Sequence, residues 1–596
     1  MKVLWIRERS LPCLFLALSL LTVSLPHAAA QRLESRPRPK LVLLLVVDQF
    51  RYDYLERFGD LFGPGGFRRL LQHGASWVDA NFDYVPTYTA PGHAAMLTGA
   101  PPAGTGIVAN EWIERETNTQ VTSVTDSSVK SLGGGPTEVG YSPRRLLAST
   151  VGDEIRLATN DRSKVIGISL KSRSAILPAG RHANGAYWFS TQSGSMTSST
   201  YYFKELPNWV SDFNRARPAD KYFGAKWERL LPTSEYIRRA GPDTPVWENL
   251  DHIVGDTNAF PHIITGGASA PGPAFFTALD YSPFSNDLLV EFTKQTLVNE
   301  KLGQGGETDV LTLSLSANDY VGHHFGPYSH EAMDVTLRVD RQIATLLDFI
   351  DNRIGLQNTL VVFTADHGAA PIPEHASVMG LDGRRIRLSE ILDAANSAIS
   401  ARYNRGKKTP DPTADYILTY DYEGHRRGGL INANLYFNLK ALERDAINLD
   451  EIEQVTGEAI LRVPGIARYF TRGQLLRGAV PAGDPIARRV LNGFYSTRSG
   501  DLIIVQEPFK YLTDAADPAT HGTGYSYDTH VPLVIMGQDF QPGIYFQSAT
   551  PTDIAATIAA ALRIQAPSNS IGRILLEALA PGREKAGVGR NSRQEQ

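Results

Sequence analysis

Residues Leu41 to Val47 read Leu-Val-Leu-Leu-Leu-Val-Val, seven apolar side chains in a row, and the run stops at Asp48. Alternation would leave one strand face for water, whereas an unbroken run must be buried on both faces, as in the middle of a parallel sheet covered by helices. Asp48 then stands at the carboxyl end of a central strand. The pattern recurs at Val165 to Leu170 before Lys171, at Val310 to Leu315 before Asp319, at Leu360 to Phe363 before Asp366, and at Val531 to Met536. Helical periodicity lies between these runs, clearest at Val339, Ile343, Leu346, Leu347 and Ile350, with charged residues interleaved. The alternation predicts an α/β fold: a mostly parallel central sheet sandwiched by helices, with its ligand site outside the strand carboxyl ends.

Two stretches break this rhythm and are expected to form additions over the active-site edge of the sheet. Residues 177–274 are rich in Tyr, Trp, Ser and Gly, and residues 371–520 carry short strands and helices of their own, such as Leu449 to Leu461. A polar run over 581–596 is expected to be a disordered tail, so the catalytic domain spans 31–580.

The amino terminus has the form of a secretory signal. Lys2, Arg7 and Arg9 precede an apolar stretch from Leu11 to Leu25, then His27-Ala-Ala-Ala30, with cleavage expected near Ala30. A retained anchor is the alternative, but the apolar stretch falls short of the ~20 residues that span a bilayer. The one cysteine, Cys13, lies inside this leader, so the mature chain has no thiol and no disulfide. A periplasmic or secreted bacterial protein without membrane attachment is expected, and a monomer. The formal charge of −4, with acidic and basic residues mixed throughout, argues against nucleic acid as a stable partner. Any attraction for an anionic substrate must then be local.

Several short motifs carry the chemistry. Thr89 lies in Val85-Pro-Thr-Tyr-Thr-Ala-Pro-Gly-His93, and the chain also holds Asp319-Tyr-Val-Gly-His323, Thr364-Ala-Asp-His-Gly368 and His521-Gly522. Carboxylate and imidazole groups at metal-ligand spacing near several strand ends look like a dinuclear metal site around a hydroxyl nucleophile. Pro91 two positions after Thr89 suggests a helix amino terminus there, where free N–H groups and the helix dipole favour an anion. Thr89 is either the N-cap of that helix or a nucleophile. Asp319 and His323, four positions apart, share a face if helical, and Gly322 allows the same convergence in a loop. Lys171 and Arg173, two apart, point to one side if the segment is extended.

The runs Tyr88-Thr-Ala-Pro-Gly-His93, Gly106-Ile-Val-Ala-Asn110, Lys171-Ser-Arg173, Asp319-Tyr-Val-Gly-His323, Asp366-His-Gly368 and His521-Gly-Thr523 resemble the alkaline phosphatase superfamily. They are most similar to its nucleotide pyrophosphatase/phosphodiesterase branch and, within it, to periplasmic PafA-type phosphatases with a threonine nucleophile. The resemblance covers nearly the whole mature chain. It implies two Zn²⁺ per chain, one held by Asp319, His323 and His521, the other by Asp48, Asp366 and His367 with Thr89 coordinated to it. It places Asn110, Lys171 and Arg173 at the phosphoryl oxygens. His521 matches the His-Gly pattern better than His530, which abuts an apolar strand; His324 and His330 are neighbours without an assigned role, and His93 is expected to make a structural hydrogen bond. The implied activity is hydrolysis of small phosphate monoesters to alcohol and phosphate through a phosphothreonine intermediate, because two cations suit a dianion better than a singly charged diester.

A phosphodiesterase or nucleotide pyrophosphatase would use the same metals, with Tyr187, Trp188, Tyr201 and Tyr202 available to stack a base. A sulfatase is disfavoured by Thr89 and the absence of a cysteine to convert. A periplasmic phosphate- or metal-binding protein could use the same ligands without turnover.

Overall fold

The computed structural model describes residues 37–245, 247, 259–403, 416–422, 425–513 and 518–580. The leader and the polar tail expected from sequence lie outside the described residues.

Strand β1 (Leu41–Val47) keeps all seven side chains buried. Each such Leu or Val contributes roughly 1.5–3 kcal/mol relative to exposure. Helix α1 (Thr89–Thr98) is buried along its whole length. Strand β2 (Val165–Ser169) runs into helix α2 (Ser172–Ala179), and strands β3 (Gly185–Ser190) and β4 (Ser195–Ser199) follow. Strand β5 (Asp309–Leu315) leads into helix α3 (Ala317–Phe325), after which come helix α4 (His330–Arg353), strand β6 (Thr359–Thr364) and, far downstream, strand β7 (Leu533–Met536). Val339, Ile343, Leu346, Leu347 and Ile350 are all buried on α4, the face their spacing predicts.

These strands belong to an eleven-stranded sheet among the described residues. β1 lies between β5 and β6, parallel to both, with Val47 level with Leu315 and Val46 with Thr364. β2 continues the parallel set beside β5, and β3 beside β2. That register brings the residues after β1, β2, β5 and β6 to one edge of the sheet. α1 packs on α2, and α4 on the helix Pro283–Asn299.

Two features differ from the sequence expectation. β7 runs antiparallel to β6, because a fully apolar strand fits a buried slot in either direction. Within 177–274, β3 and β4 belong to the central sheet, β3 with all six side chains buried. The Tyr187-Trp-Phe189 aromatics that made this stretch look like an addition are therefore core. Beyond β6, the described parts of 371–520 include the helices Leu388–Tyr403 and Leu449–Ile460 and a four-stranded sheet with Ile466–Thr471 and Leu502–Gln506. They enclose a separate apolar cluster that includes Ile391, Ile399, Leu435, Ile452 and Leu502. No helix among the described residues is long and apolar enough to cross a membrane.

Candidate metal centre

Each strand end delivers a polar group to the same place. Asp48 follows β1, Lys171 stands at the N-cap of α2 two residues past β2, Asp319 lies in the first turn of α3 after β5, and Asp366 and His367 follow β6. Asp319 and His323 share a face because α3 is helical through both. Gly322 lies between them on α3, and a Cβ there would collide with the Gln49 amide.

Two three-residue groups result, Asp48/Asp366/His367 and Asp319/His323/His521, each with ligand atoms within 4.8 Å of one another. In the first, His367 Nε2 is 3.6 Å from Asp48 Oδ1 and 3.4 Å from Asp366 Oδ2. In the second, His323 Nε2 is 3.3 Å and His521 Nε2 3.8 Å from Asp319 Oδ1. The groups adjoin: His367 Nε2 lies 4.0 Å from Asp319 Oδ1, and the rings of His367 and His521 stack at 3.5 Å. His530 lies elsewhere, its Nε2 bonded to the Val78 carbonyl and its ring stacked on Tyr52. His330 is likewise engaged away from the groups, with Nε2 on the Gly241 carbonyl and Nδ1 beside Asp243.

Thr89 opens α1, with Tyr88 in the N-cap position and no side-chain cap bond. It is buried, and its Oγ1 lies 3.5 Å from His367 Nε2. Asn110 Oδ1 accepts the Ala90 N–H at 2.8 Å, taking up a free donor of the first helical turn, so the Nδ2 group is the donor that Asn110 has left to offer. His93, one turn further on, contacts the Thr89 carbonyl through Nδ1, the Ser314 hydroxyl through Nε2 and Asp366 Oδ2 at 3.3 Å. It ties α1 to β5 and to the loop after β6.

The donor set suits divalent cations. His323, His367 and His521 each have Nδ1 within 2.8–2.9 Å of a backbone carbonyl, of Ala519, Gly368 and Thr87. A neutral ring that donates from Nδ1 leaves its Nε2 lone pair for a metal. Asp48 Oδ1 and Asp366 Oδ2 are buried with no hydrogen-bond partner, a costly arrangement unless a cation faces them. Carboxylate oxygens and imidazole nitrogens are ligands of the Zn²⁺ type.

Burial and the crowding of charges shift these groups in both directions. Burial, aided by the carboxylates of Asp319 and Asp366, pushes Asp48 up to about 7. Burial lowers His367 to about 4, and burial together with the neighbouring imidazoles of His367 and His323 holds His521 well below its ordinary value. Burial also opposes charge on His323, but the adjacent Asp319 carboxylate prevails and raises it to about 9. Asp319 stays well below the usual carboxylate range despite burial, because Lys171 and His323 stand beside it.

Lys171 is buried, and its Nζ donates to Asp48 Oδ2 at 2.7 Å and to Asp319 Oδ2, bridging the two groups. It also stands 5.0 Å over the Tyr320 ring. Burial opposes its charge, yet Asp319 and Asp48 raise it further. Lys171 and Arg173 do not alternate along an extended segment as expected. The chain turns into α2 at Ser172, so Arg173 sits in the first helical turn, and residues two apart on a helix do not share a face. Arg173 is near enough to oppose the burial-driven rise of Glu111, and its Nε is buried without a hydrogen-bond partner.

Sequence reasoning missed Gln49. Its backbone N–H donates to Asp366 Oδ1 at 3.0 Å and its side chain Nε2 to Asp319 Oδ1 at 2.9 Å, so one residue orients a carboxylate of each group. It also missed Tyr320. Adjacency to Asp48 and to Asp319 was the only signal for either.

A mostly parallel sheet with paired carboxylate–histidine groups at its carboxyl edge defines a class, and the sequence profile of the type I phosphodiesterase / nucleotide pyrophosphatase family matches residues 42–530. The chain belongs to that family. It is 36% identical to alkaline phosphatase PhoV of Synechococcus elongatus, over 91% of this chain and 93% of the relative, and 35% identical to alkaline phosphatase PafA of Elizabethkingia meningoseptica, over 92% and 96%. The crystal structure of wild-type alkaline phosphatase PafA superposes with a TM-score of 0.82 at 34% identity, covering 91% of this chain and 99% of that one.

Proposed function

We propose that this chain is a zinc-dependent alkaline phosphatase that hydrolyses phosphate monoesters through a phosphothreonine intermediate, as an exported, monomeric bacterial protein cleaved near Ala30. Residues 31–580 form its catalytic domain, with the described portion of 371–520 as an inserted lobe. The observation that carries the reading is the convergence of two carboxylate–histidine groups on a buried threonine hydroxyl at a helix amino terminus, bridged by one lysine. Identity of 35–36% across nearly the whole length of PhoV and PafA supports the monoester assignment.

Asp48, Asp366 and His367 would hold one Zn²⁺ and Asp319, His323 and His521 the other. When bound, such a pair lowers the pKa of oxygen ligands and neutralises charge on the entering and departing oxygens of an in-line displacement. The chain's own residues do the rest. Thr89 gives up its hydroxyl proton to solvent, and its Oγ1 bonds to phosphorus as the bond to the ester oxygen breaks. The departing oxygen takes a proton from solvent and leaves as alcohol. Water then attacks the phosphothreonine from the vacated side, breaking the bond to Oγ1 and releasing phosphate. Asn110, Lys171 and Arg173 hold the non-reacting oxygens, fixed donors that need no reorganisation as charge redistributes. The bridging position of Lys171 keeps its ammonium charged and in place before substrate arrives.

The test compares kcat/KM for an aryl phosphate monoester with that for the matching diester, on zinc-reconstituted protein and on Lys171→Ala/Arg173→Ala. The monoester preference of the wild type is expected to shrink by on the order of 10²- to 10⁴-fold, two charge-assisted contacts at roughly 1.5–3 kcal/mol each. An unchanged ratio overturns the assignment of those two cations.

A further inference from the structure

A cleft of about 620 Å³ opens beside the metal centre, on the side of His323 and His521. His323 and His521 line it, with Tyr88 and Asn110; Asp48, Asp366 and His367 do not. On the proposed mechanism Thr89 attacks from the side of Asp48, Asp366 and His367, so the departing oxygen leaves toward Asp319, His323 and His521. The cleft therefore begins where the leaving group must lie.

The volume falls within the range of roughly 300–1,000 Å³ typical of sites for drug-sized molecules, far more than a bare phosphoryl group fills. Leu388, Leu392, Leu430, Ile431 and Ile503 give it apolar walls. Besides His323 and His521, the acidic and basic side chains among its described lining residues are Glu111 and Arg427, so it offers no cluster of cations for a second anionic group. Polar side chains such as Asn432, Asn434 and Gln506 share the lining with these apolar walls, so the chemistry recognised is that of an uncharged, ring-sized alcohol or phenol.

We infer that this cleft is a leaving-group subsite, which makes the enzyme selective for phosphate monoesters of bulky neutral alcohols over those of small alcohols. Leu388 and Leu392, from the helix Leu388–Tyr403, are its specificity-determining side chains. The inference rests on the phosphomonoesterase reading, but it concerns the departing group, which phosphoryl recognition alone leaves unconstrained.

The experiment measures kcat/KM for methyl phosphate, cyclohexylmethyl phosphate and benzyl phosphate, whose leaving alcohols are of closely similar acidity. Apolar burial of a ring is expected to favour the two larger esters by on the order of tenfold or more. Leu392→Trp, which narrows the cleft, and separately Leu388→Glu, which places a charge on its wall, are expected to bring that ratio toward one. Equal rates for all three esters in the wild type, or a preference that survives in both variants, overturns the subsite. A wild-type protein that hydrolyses none of the three counts instead against the phosphomonoesterase reading itself.

Discussion

At the scale of single residues, the centre depends on groups that touch no reacting atom. Gln49 adopts φ 60°, a left-handed conformation that costs a non-glycine residue roughly 1–2 kcal/mol. That strain is offset by two buried hydrogen bonds to carboxylates of different metal groups. Gly322 leaves the space its amide occupies. Replacing Gln49 by Ala keeps the backbone bond to Asp366 and removes the one to Asp319, so Zn²⁺ affinity is expected to fall roughly 10–100-fold, the usual effect of losing a partner behind a ligand. Competition with a calibrated chelator measures this, and an affinity equal to wild type would show that Asp319 needs no such support. Nothing in the sequence connects Gln49 with a carboxylate 270 positions away; the contact exists only because β1 and β5 are neighbours.

At the scale of elements, α1 must approach the loop after β6 closely enough for Thr89 to meet His367. Gly92 makes that possible, since a Cβ there would lie 2.4 Å from the Asp366 carbonyl oxygen and 2.7 Å from its Cβ. Gly92→Ala is therefore expected to destabilise the fold by about 1–3 kcal/mol through overpacking and to lower activity by displacing α1 from Asp366. Denaturant unfolding and kcat/KM check it together, and a variant matching wild type in both would mean that the interface tolerates a methyl group. The legibility of elements followed burial. β1, β5 and β6 were readable because strands covered on both faces are mostly Val, Leu and Phe, interrupted only by small polar residues inside the run. Ser195–Ser199 and Thr125–Leu132 carry Ser, Thr and charged residues and are strands through pairing at the sheet's margin, which no apolar pattern marks. The direction of β7 was unreadable for a related reason: hydrophobicity has no polarity along the chain.

For the whole molecule, one sheet register carries four polar strand ends, Lys171 among them, to a common point, and α1 adds Thr89. The polar stop after each apolar run made the site's position at the sheet edge legible, and short motifs singled out its carboxylates and imidazoles. The conformation after β2 was not legible, because Lys171-Ser-Arg173 is compatible with either an extended or a helical course until α1 packs on α2. Nor could the sequence reveal that Lys171 reaches two carboxylates from different strands, a contact set by fold rather than spacing. On the proposed mechanism the phosphoryl group passes through Thr89 in two in-line displacements. This path is tested most directly by hydrolysing an isotopically chiral phosphorothioate monoester in isotope-labelled water and determining the configuration of the thiophosphate released: two displacements predict net retention, and inversion would contradict the covalent step.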